Sequence, residues 1–460
     1  MPVSVEVPIS TAVIEDNPGC IVGSEFKDGA VVIHLDLRKQ NHHEILGIPK
    51  RVQLHWTKDT RSYEVQELSG FPWALRYHVT TADAWYYDAE GNRASYTPPV
   101  RSLDPRAKVS HAVQRAAVLL IVIGAIGYRR SAWLLKALFQ VATSKSALAR
   151  WVKDVASELP PPEEIVKRLN EDKPITEAHL DEIFPKGRAG PGCVLVVKDE
   201  HGRILLSGRV EKKDAENVKA FLERLKSLGL AIKTFYIDHC DTYRKVIPQV
   251  FEDVRIQLDY FHIIQNVWRH MWKYFVSFRK TVKARSEKSK TRWYKAKLKR
   301  LATDLWKNRH LLFKSDKNLS DDERTRLVEL CDADAKVGGI RAFLSGVWNI
   351  FDNSKDEAEA RKALDELKAQ AANEESAHHK RALKFLEESF DQATTYLKHT
   401  DVKRNSLSET GMRILRRLER EHDGFRTDDS REDFLRIYQA VRYLGWTVHR
   451  ETALEAPAPP

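Results

Sequence analysis

FYIDHCDTYRKVIPQVFEDVRIQLDYFHI, from Phe235 to Ile263, is the stretch whose reading decides the fold. Its first residues close an apolar strand, IKTFYI, and Asp238 follows at once. A carboxylate abutting a buried strand is costly unless it lies at the carboxyl edge, where α/β sheets bind their ligands. Asp241 opens DTYRKVIPQVF and reads as a helix cap. Glu252 and Asp253 occupy a turn before a second strand, RIQL. Asp259 follows that strand, with His262 three residues on. A histidine among aromatics fits a satisfied core position as well as a functional one.

Upstream, HLDEIF is a short strand, and CVLVVK and RILLSGRV are two more, joined by the turn DEHG (Asp199–Gly202). DAENVKAFLERLKSLG is a helix. Asp214 caps it, Val218, Phe221, Leu222 and Leu225 form its apolar face, and Gly229 ends it. The order β-β-β-α-β-(α)-β, with three antiparallel strands before a helix and a central strand, is that of the ribonuclease H-like fold. Two-metal phosphoryl transfer needs carboxylates that converge from separate rigid elements. Asp238 is one such acid. Its partner should come from the first strand. Asp199 is explained by turn chemistry alone. Asp181 sits in the strand beside that of Asp238 and is preferred, with Glu182 pointing to the other face.

The remaining chain frames this core. Its 460 residues, 42% hydrophobic, describe a globular protein with room for roughly two to four domains. A net charge of +11 points to a polyanion, nucleic acid ahead of a membrane surface. Four scattered cysteines give no zinc spacing and no disulfide framework. The N-terminus has no signal-peptide pattern, and the apolar run Ala116–Gly127 is too short to span a bilayer. A cytoplasmic, nucleoid-associated location is expected. Residues 1–100 form a β-rich module, with VVIHLDL and RVQLHW alternating. PPVRSLDPRAK is a linker. Helices then follow at Ala112–Ile126, Ser131–Phe139 and Lys145–Ala156. The last two, joined by a four-residue turn, have the shape of a helix-turn-helix within residues 109–157, with Ser144, Lys145 and Arg150 facing DNA. A plain helical hairpin is the alternative. ELPPPEE is a second hinge. Between Arg269 and Lys314 only Glu287 and Asp304 are acidic, and Trp268, Trp272, Trp293 and Trp306 are interleaved with Lys and Arg. A phosphate-tracking surface is favoured over a merely solvated basic face.

Beyond this helical stretch lies RNSLSETGMRILRRLEREHDGFR. Its helix begins near Ser406, with Glu409 in the first turn, Arg413, Arg416 and Arg420 following on about the same face, and Gly424 at its end. Helix-dipole chemistry alone accounts for an isolated N-terminal acid. Taken together with IDHCDTYRKVIPQVFEDVRIQLDYFHIIQNV, however, this block resembles the DDE transposases of bacterial insertion sequences, over about Ile175 to Tyr443. The resemblance implies a ribonuclease H-like core split by a helical insertion. It places the catalytic, metal-holding acids at Asp181, Asp238 and Glu409, and identifies Asp259-Tyr-Phe-His262 with the C/D(2)H signature that supports the active site. Related transposases often carry an N-terminal cysteine zinc module. This chain has no such cysteines, so recognition of its element ends need not work the same way.

The expected architecture is therefore α/β multidomain. A β module and a helix-turn-helix precede a core at residues 175–265 and 403–448, interrupted by an all-α insertion at 266–402 and followed by a tail at 449–460. The resemblance implies end binding, strand cleavage and strand transfer with two magnesium ions, manganese substituting. It also implies DNA as partner, with a homodimer or larger assembly and Arg413, Arg416 and Arg420 beside the DNA. The alternatives are an inactive transposase-derived DNA-binding protein and a nuclease or resolvase on the same fold.

Overall fold

The computed structural model describes residues 13, 17, 19–27, 30–67, 74–98, 108–184, 192–372, 376–404, 409–421, 425 and 427–446. The chain divides into two units. The first comprises residues 1–165, 185–190 and 413–460, and the second 166–184 and 191–412. Most of the expected linker at 98–108, Gly424 and the tail at 449–460 lie outside the described residues. Among the described residues no helix is long and apolar enough to cross a membrane.

The first unit opens with a five-stranded sheet: β1 (Ile21–Lys27), β2 (Ala30–Asp36), β3 (His55–Glu67), β4 (Ala74–Tyr87) and β5 (Arg93–Tyr96). The order is β1-β2-β4-β3, with β5 also paired to β4. Along β2, Ala30, Val32, Ile33 and Leu35 are buried, and Ile33 and Leu35 share a core with Val65, Tyr77 and Val79. A short helix, α1 (His42–Leu46), lies between β2 and β3 and sets His42 edge-on to Trp56 and Tyr96.

Three helices follow: α2 (His111–Val122), α3 (Tyr128–Phe139) and α4 (Lys145–Glu158). Ser110 and Ser144 cap α2 and α4, each accepting a backbone N–H three residues on. Gln140 takes a left-handed conformation at φ 54° and ends α3. The expected hinge ELPPPEE is shorter than the sequence suggests. Only Leu159, Pro160 and Pro161 separate α4 from α5 (Pro162–Asp172). Proline suits the first helical position, where no N–H is needed, so it starts α5 rather than preventing it. In the C-terminal segment, α16 (Glu409–Glu421) and α17 (Asp428–Tyr443) follow, and α17 packs on α4 and α2. Arg431 pairs with Glu419 at 3.0 Å in a buried ion pair, and Arg130 reaches Glu421 at 3.1 Å.

The second unit holds the other sheet: β6 (Glu177–Ile183), β7 (Cys193–Lys198), β8 (Ile204–Val210), β9 (Thr234–Ile237) and β10 (Arg255–Leu258), in the order β10-β9-β6-β7-β8. β6, β7 and β8 are antiparallel neighbours, and β9 and β10 run parallel to β6. β7 and β9 are buried along their whole length, as continuous apolar strands should be. α6 (Ala215–Ser227) crosses from β8 to β9 with Asp214 as its cap and the expected apolar face buried. Gly208 lets it approach closely, because a Cβ there would meet the Phe221 ring at 3.1 Å. α7 (Asp241–Val250) joins β9 to β10. Its cap position is held by Cys240, not Asp241. Asp241 comes one residue late and stays exposed in the first turn, where the helix dipole favours an acid.

From Tyr260 the chain is helical: α8 (Tyr260–Lys288), α9 (Arg292–Lys307), α10 (Arg309–Leu312), α11 (Asp321–Ala333), α12 (Ala335–Trp348), α13 (Glu357–Ala371), α14 (Ala377–Ala393) and α15 (Thr395–Lys398). A π-helical turn, Asn349–Asn353, separates α12 from α13. Ile263, Ile264, Val267, Met271, Phe275 and Phe278 make the buried stripe of α8. The tryptophans divide. Trp268 and Trp272 pack edge-on to Phe313, inside this bundle. Trp306 lies between Arg279 and Arg309, and Trp293 is 70% exposed. Trp268 and Trp272 are thus half-buried against Phe313, whereas Trp293 and Trp306 are exposed.

The helical stretch is fastened to the sheet edge at β10. Thr395 donates to the Ile256 carbonyl at 2.7 Å, and Gln257 donates to the Ala393 carbonyl at 3.1 Å while accepting the Tyr396 N–H at 2.9 Å. Arg255 and Asp401 form a two-pronged pair at 2.8 Å. These bonds cover an edge strand that otherwise offers unpaired backbone. Replacing the fully buried Gln257 by Leu leaves the Tyr396 N–H and the Ala393 carbonyl unsatisfied. We expect a loss of roughly 2–4 kcal/mol, read as a lower urea midpoint for the variant.

Candidate active site

The parallel register places three acids in one row. Leu180 pairs with Ile237, and Ile237 pairs with Leu258. The next residue on each strand is an aspartate: Asp181, Asp238 and Asp259. All three thus stand at the carboxyl ends of adjacent strands or one residue beyond, where rigid backbone fixes them.

Each acid meets a different environment. Asp259 is 5% exposed and caps α8, its Oδ1 accepting the Phe261 N–H at 2.8 Å and the His262 N–H at 3.3 Å. Its own N–H donates to the Ile237 carbonyl at 2.9 Å, which ties the cap to β9. The cap fixes the first turn of α8, and that turn presents His262, whose Nε2 lies 3.1 Å from Asp238 Oδ1. The Asp259 and His262 that the family resemblance implies are therefore brought together with Asp238. Asp181 Oδ1 accepts the N–H of Glu182 at 2.7 Å. Asp199, the rejected alternative, is consumed by its turn. It accepts the His201 and Arg203 N–H groups and pairs with the Arg203 side chain at 2.6 Å.

Burial raises the Asp238 carboxyl to about 7, and the charges of Asp181, Glu182 and Asp259 push in the same direction, while His262 opposes them. The electrostatics thus join these acids as one group. Glu182 is held on the other side of β6. Its Oε1 accepts from Lys213 at 2.5 Å and its Oε2 from the buried Tyr243 hydroxyl at 2.7 Å, with the Lys213 ammonium 4.6 Å from the centre of the Tyr243 ring. Burial and Glu182 drive the Tyr243 phenol far above its usual range, so it stays a proton donor. No sequence pattern marks this network, because Lys213 and Tyr243 lie on elements distant from Glu182.

Glu409 is the first residue of α16, and its side chain lies outside the described residues. The segment leading towards it is anchored. The Lys403 N–H donates to Tyr236 Oη at 2.8 Å. Arg404 pairs with Asp352 in the π-helical turn and lies 3.5 Å from the centre of the Tyr260 ring, while Tyr260 Oη donates to Asp352 at 3.1 Å. Sequence reasoning missed Asp352 and Arg404, which bind across 52 residues of helical chain.

In the first unit, Lys145 and Arg150 are exposed on α4, and Arg413, Arg416 and Arg420 are exposed on α16. Ser144 is engaged as a cap, accepting the Ala147 N–H at 3.1 Å. Among the described residues no three His, Cys, Asp or Glu side chains are grouped so as to hold a metal ion.

The mutual repulsion can be read directly. Carbon-13 NMR of aspartate-labelled protein should show the Asp238 carboxyl titrating near pH 7. Asp181→Asn removes a neighbouring negative charge, so the inflection should move to lower pH. An inflection unchanged by that substitution would mean that the two carboxylates do not interact.

Residues 179–430 match the ISL3-type DDE family, whose members are described as transposases. Among solved structures, a likeness is found to the Drosophila P element transposase strand transfer complex, at 12% identity and a TM-score of 0.38, covering 74% of this chain and 93% of that one. The comparison with curated proteins finds no match.

Proposed function

We infer the function from one premise: the chain belongs to the ISL3-type DDE transposase family, and is a DNA transposase. In our reading it serves a bacterial insertion sequence. It binds the element ends, hydrolyses a strand there, and directs the freed 3′-hydroxyl at target DNA. The observation that carries this reading is the row of acids at the ends of β6, β9 and β10. The order β8-β7-β6-β9-β10, with the first three strands antiparallel and the last two parallel to β6, supports a ribonuclease H-like core interrupted by α8–α15.

Asp181, Asp238 and Glu409 are the proposed metal-holding residues. The donors fit a hard divalent cation. Two carboxylates stand on neighbouring strands, and burial, with the charges of the neighbouring acids, lifts Asp238, a cost that a bound divalent cation would offset. Held by these residues, two magnesium ions, or manganese in their place, would supply Lewis acidity towards the attacking and leaving oxygens. His262 orients Asp238 through Oδ1, and Asp259 fixes His262 by capping its helix. Lys213 and Tyr243 keep Glu182 directed away from that site.

The β module and a helix-turn-helix built on α3 and α4 recognise the terminal repeats. Ser144 sets the start of α4, and Lys145 and Arg150 bind phosphates from its exposed side, with Arg413, Arg416 and Arg420 of α16 doing the same. Two ends must be joined, so the working species is a homodimer or larger assembly.

The test is magnesium-dependent cutting of a duplex that carries the gene's own flanking DNA. Wild type should cut at discrete positions. Asp181→Asn, Asp238→Asn and Glu409→Gln should each cut about a thousandfold more slowly while still retarding the duplex in a gel. Cutting that survives in all three variants would refute the assignment. Arg150→Ala should weaken binding alike across duplex sequences and reduce the salt slope by about 1. An unchanged slope would remove Arg150 from the interface.

A further inference from the structure

Phe261 stands out on α8. It is 61% exposed, whereas the other aromatic residues of the helix are packed. Tyr260 lies against Phe351 and Arg404, Trp268 and Trp272 against Phe313, Tyr274 against His379, and Phe275 and Phe278 are buried. A single exposed Phe is ordinary in isolation. This one is placed by the same cap that places the active-site histidine, since its N–H donates to Asp259 at 2.8 Å. Its ring stands edge-on to His262 at 5.7 Å, and His262 reaches Asp238 at 3.1 Å. An open aromatic face is thus held one residue from the group that touches the reacting site.

The exposed side of α8 continues in steps of four residues through Gln265, Arg269 and Lys273, about 6 Å per step along the helix. The track begins with a ring beside His262 and carries cations farther along the helix. His270, between Arg269 and Lys273, is held below its ordinary range by burial and then by Lys273, His378, Arg381 and Arg269, the mark of a local positive field. A ring followed by cations at regular steps is the pattern that binds single-stranded nucleic acid, the ring taking a base and the cations taking phosphates.

We propose that Phe261 stacks on the unpaired base flanking the scissile phosphate, while Arg269 and Lys273 hold the backbone of the same strand along α8. This rests on the transposase reading above and names the part of the DNA that the site grips. A ring stacked on that base fixes the scissile phosphate against Asp181 and Asp238. Phe261 is therefore a positioning residue, and any base suits it, because every base presents a π-face.

The experiment uses the full chain, magnesium and the flanking-DNA duplex. The wild-type cut site is mapped first. Wild type, Phe261→Ala and Phe261→Trp are then compared on the intact duplex and on one made abasic at the nucleotide flanking the cut. Phe261→Ala should cut the intact duplex about 5- to 150-fold more slowly, and Phe261→Trp should restore most of the rate. On the abasic duplex the ratio of wild type to Phe261→Ala should shrink to within about twofold, since the two changes remove one interaction. A merely structural role would leave the ratio unchanged between duplexes. Equal rates of wild type and Phe261→Ala on the intact duplex, or a deficit that persists on the abasic duplex, would overturn the proposal while leaving the transposase reading intact. Failure of wild type to cut at all would instead overturn that reading, and this proposal with it.

Discussion

Three parallel strands that share one register row, with an aspartate late in β6 and one just after each of β9 and β10, set the constraint on which the second unit depends. Leu180, Ile237 and Leu258 are buried neighbours, so Asp181, Asp238 and Asp259 are forced close together. Carboxylates crowded in this way repel, and burial sharpens the repulsion. The surrounding structure answers by giving each acid a separate partner. Asp259 is satisfied by the backbone of α8, Glu182 by Lys213 and Tyr243, and Asp238 faces a histidine. Asp181 accepts the Glu182 N–H and lies next to Asp238 across the strand pair, the pair on which the proposed cation site rests.

The long helical stretch also serves this arrangement. It leaves the sheet through the Asp259 cap and returns past β9 and β10. Gln257 and Thr395 bond its last helices to the sheet edge, and Asp352 holds Arg404 shortly before Glu409. A chain that leaves the core for well over a hundred residues needs such fastenings, because a misplacement of about 1 Å at a reacting group is costly. The π-helical turn that presents Asp352 belongs to a class of irregularity that often accompanies function.

Much of this was legible in the sequence. An apolar strand ending in an acid could be read at Asp238, and the meander order put Asp181 beside it. The family resemblance pointed to Asp259 and His262 as a supporting pair, but not to the cap that Asp259 makes or to the contact of His262 with Asp238. The misreadings were local. Asp241 lies one residue past the cap position, a difference that propensity cannot resolve. The prolines of ELPPPEE mark a break of only three residues, since Pro162 already starts a helix. The packing of Trp268 and Trp272 on Phe313 could not be read, because Phe313 is far along the chain. Contacts such as Glu182 with Tyr243, or Asp352 with Arg404, join distant segments and leave no periodic trace.

The proposed cation site rests on Asp181 and Asp238, which the strand register sets next to each other. Manganese binding, followed by electron paramagnetic resonance at neutral pH, tests it without DNA or catalysis. The account predicts saturable binding by wild type that weakens at least about tenfold in Asp238→Asn and in Asp181→Asn, since each removes a charged ligand. Equal binding by wild type and both variants would contradict it.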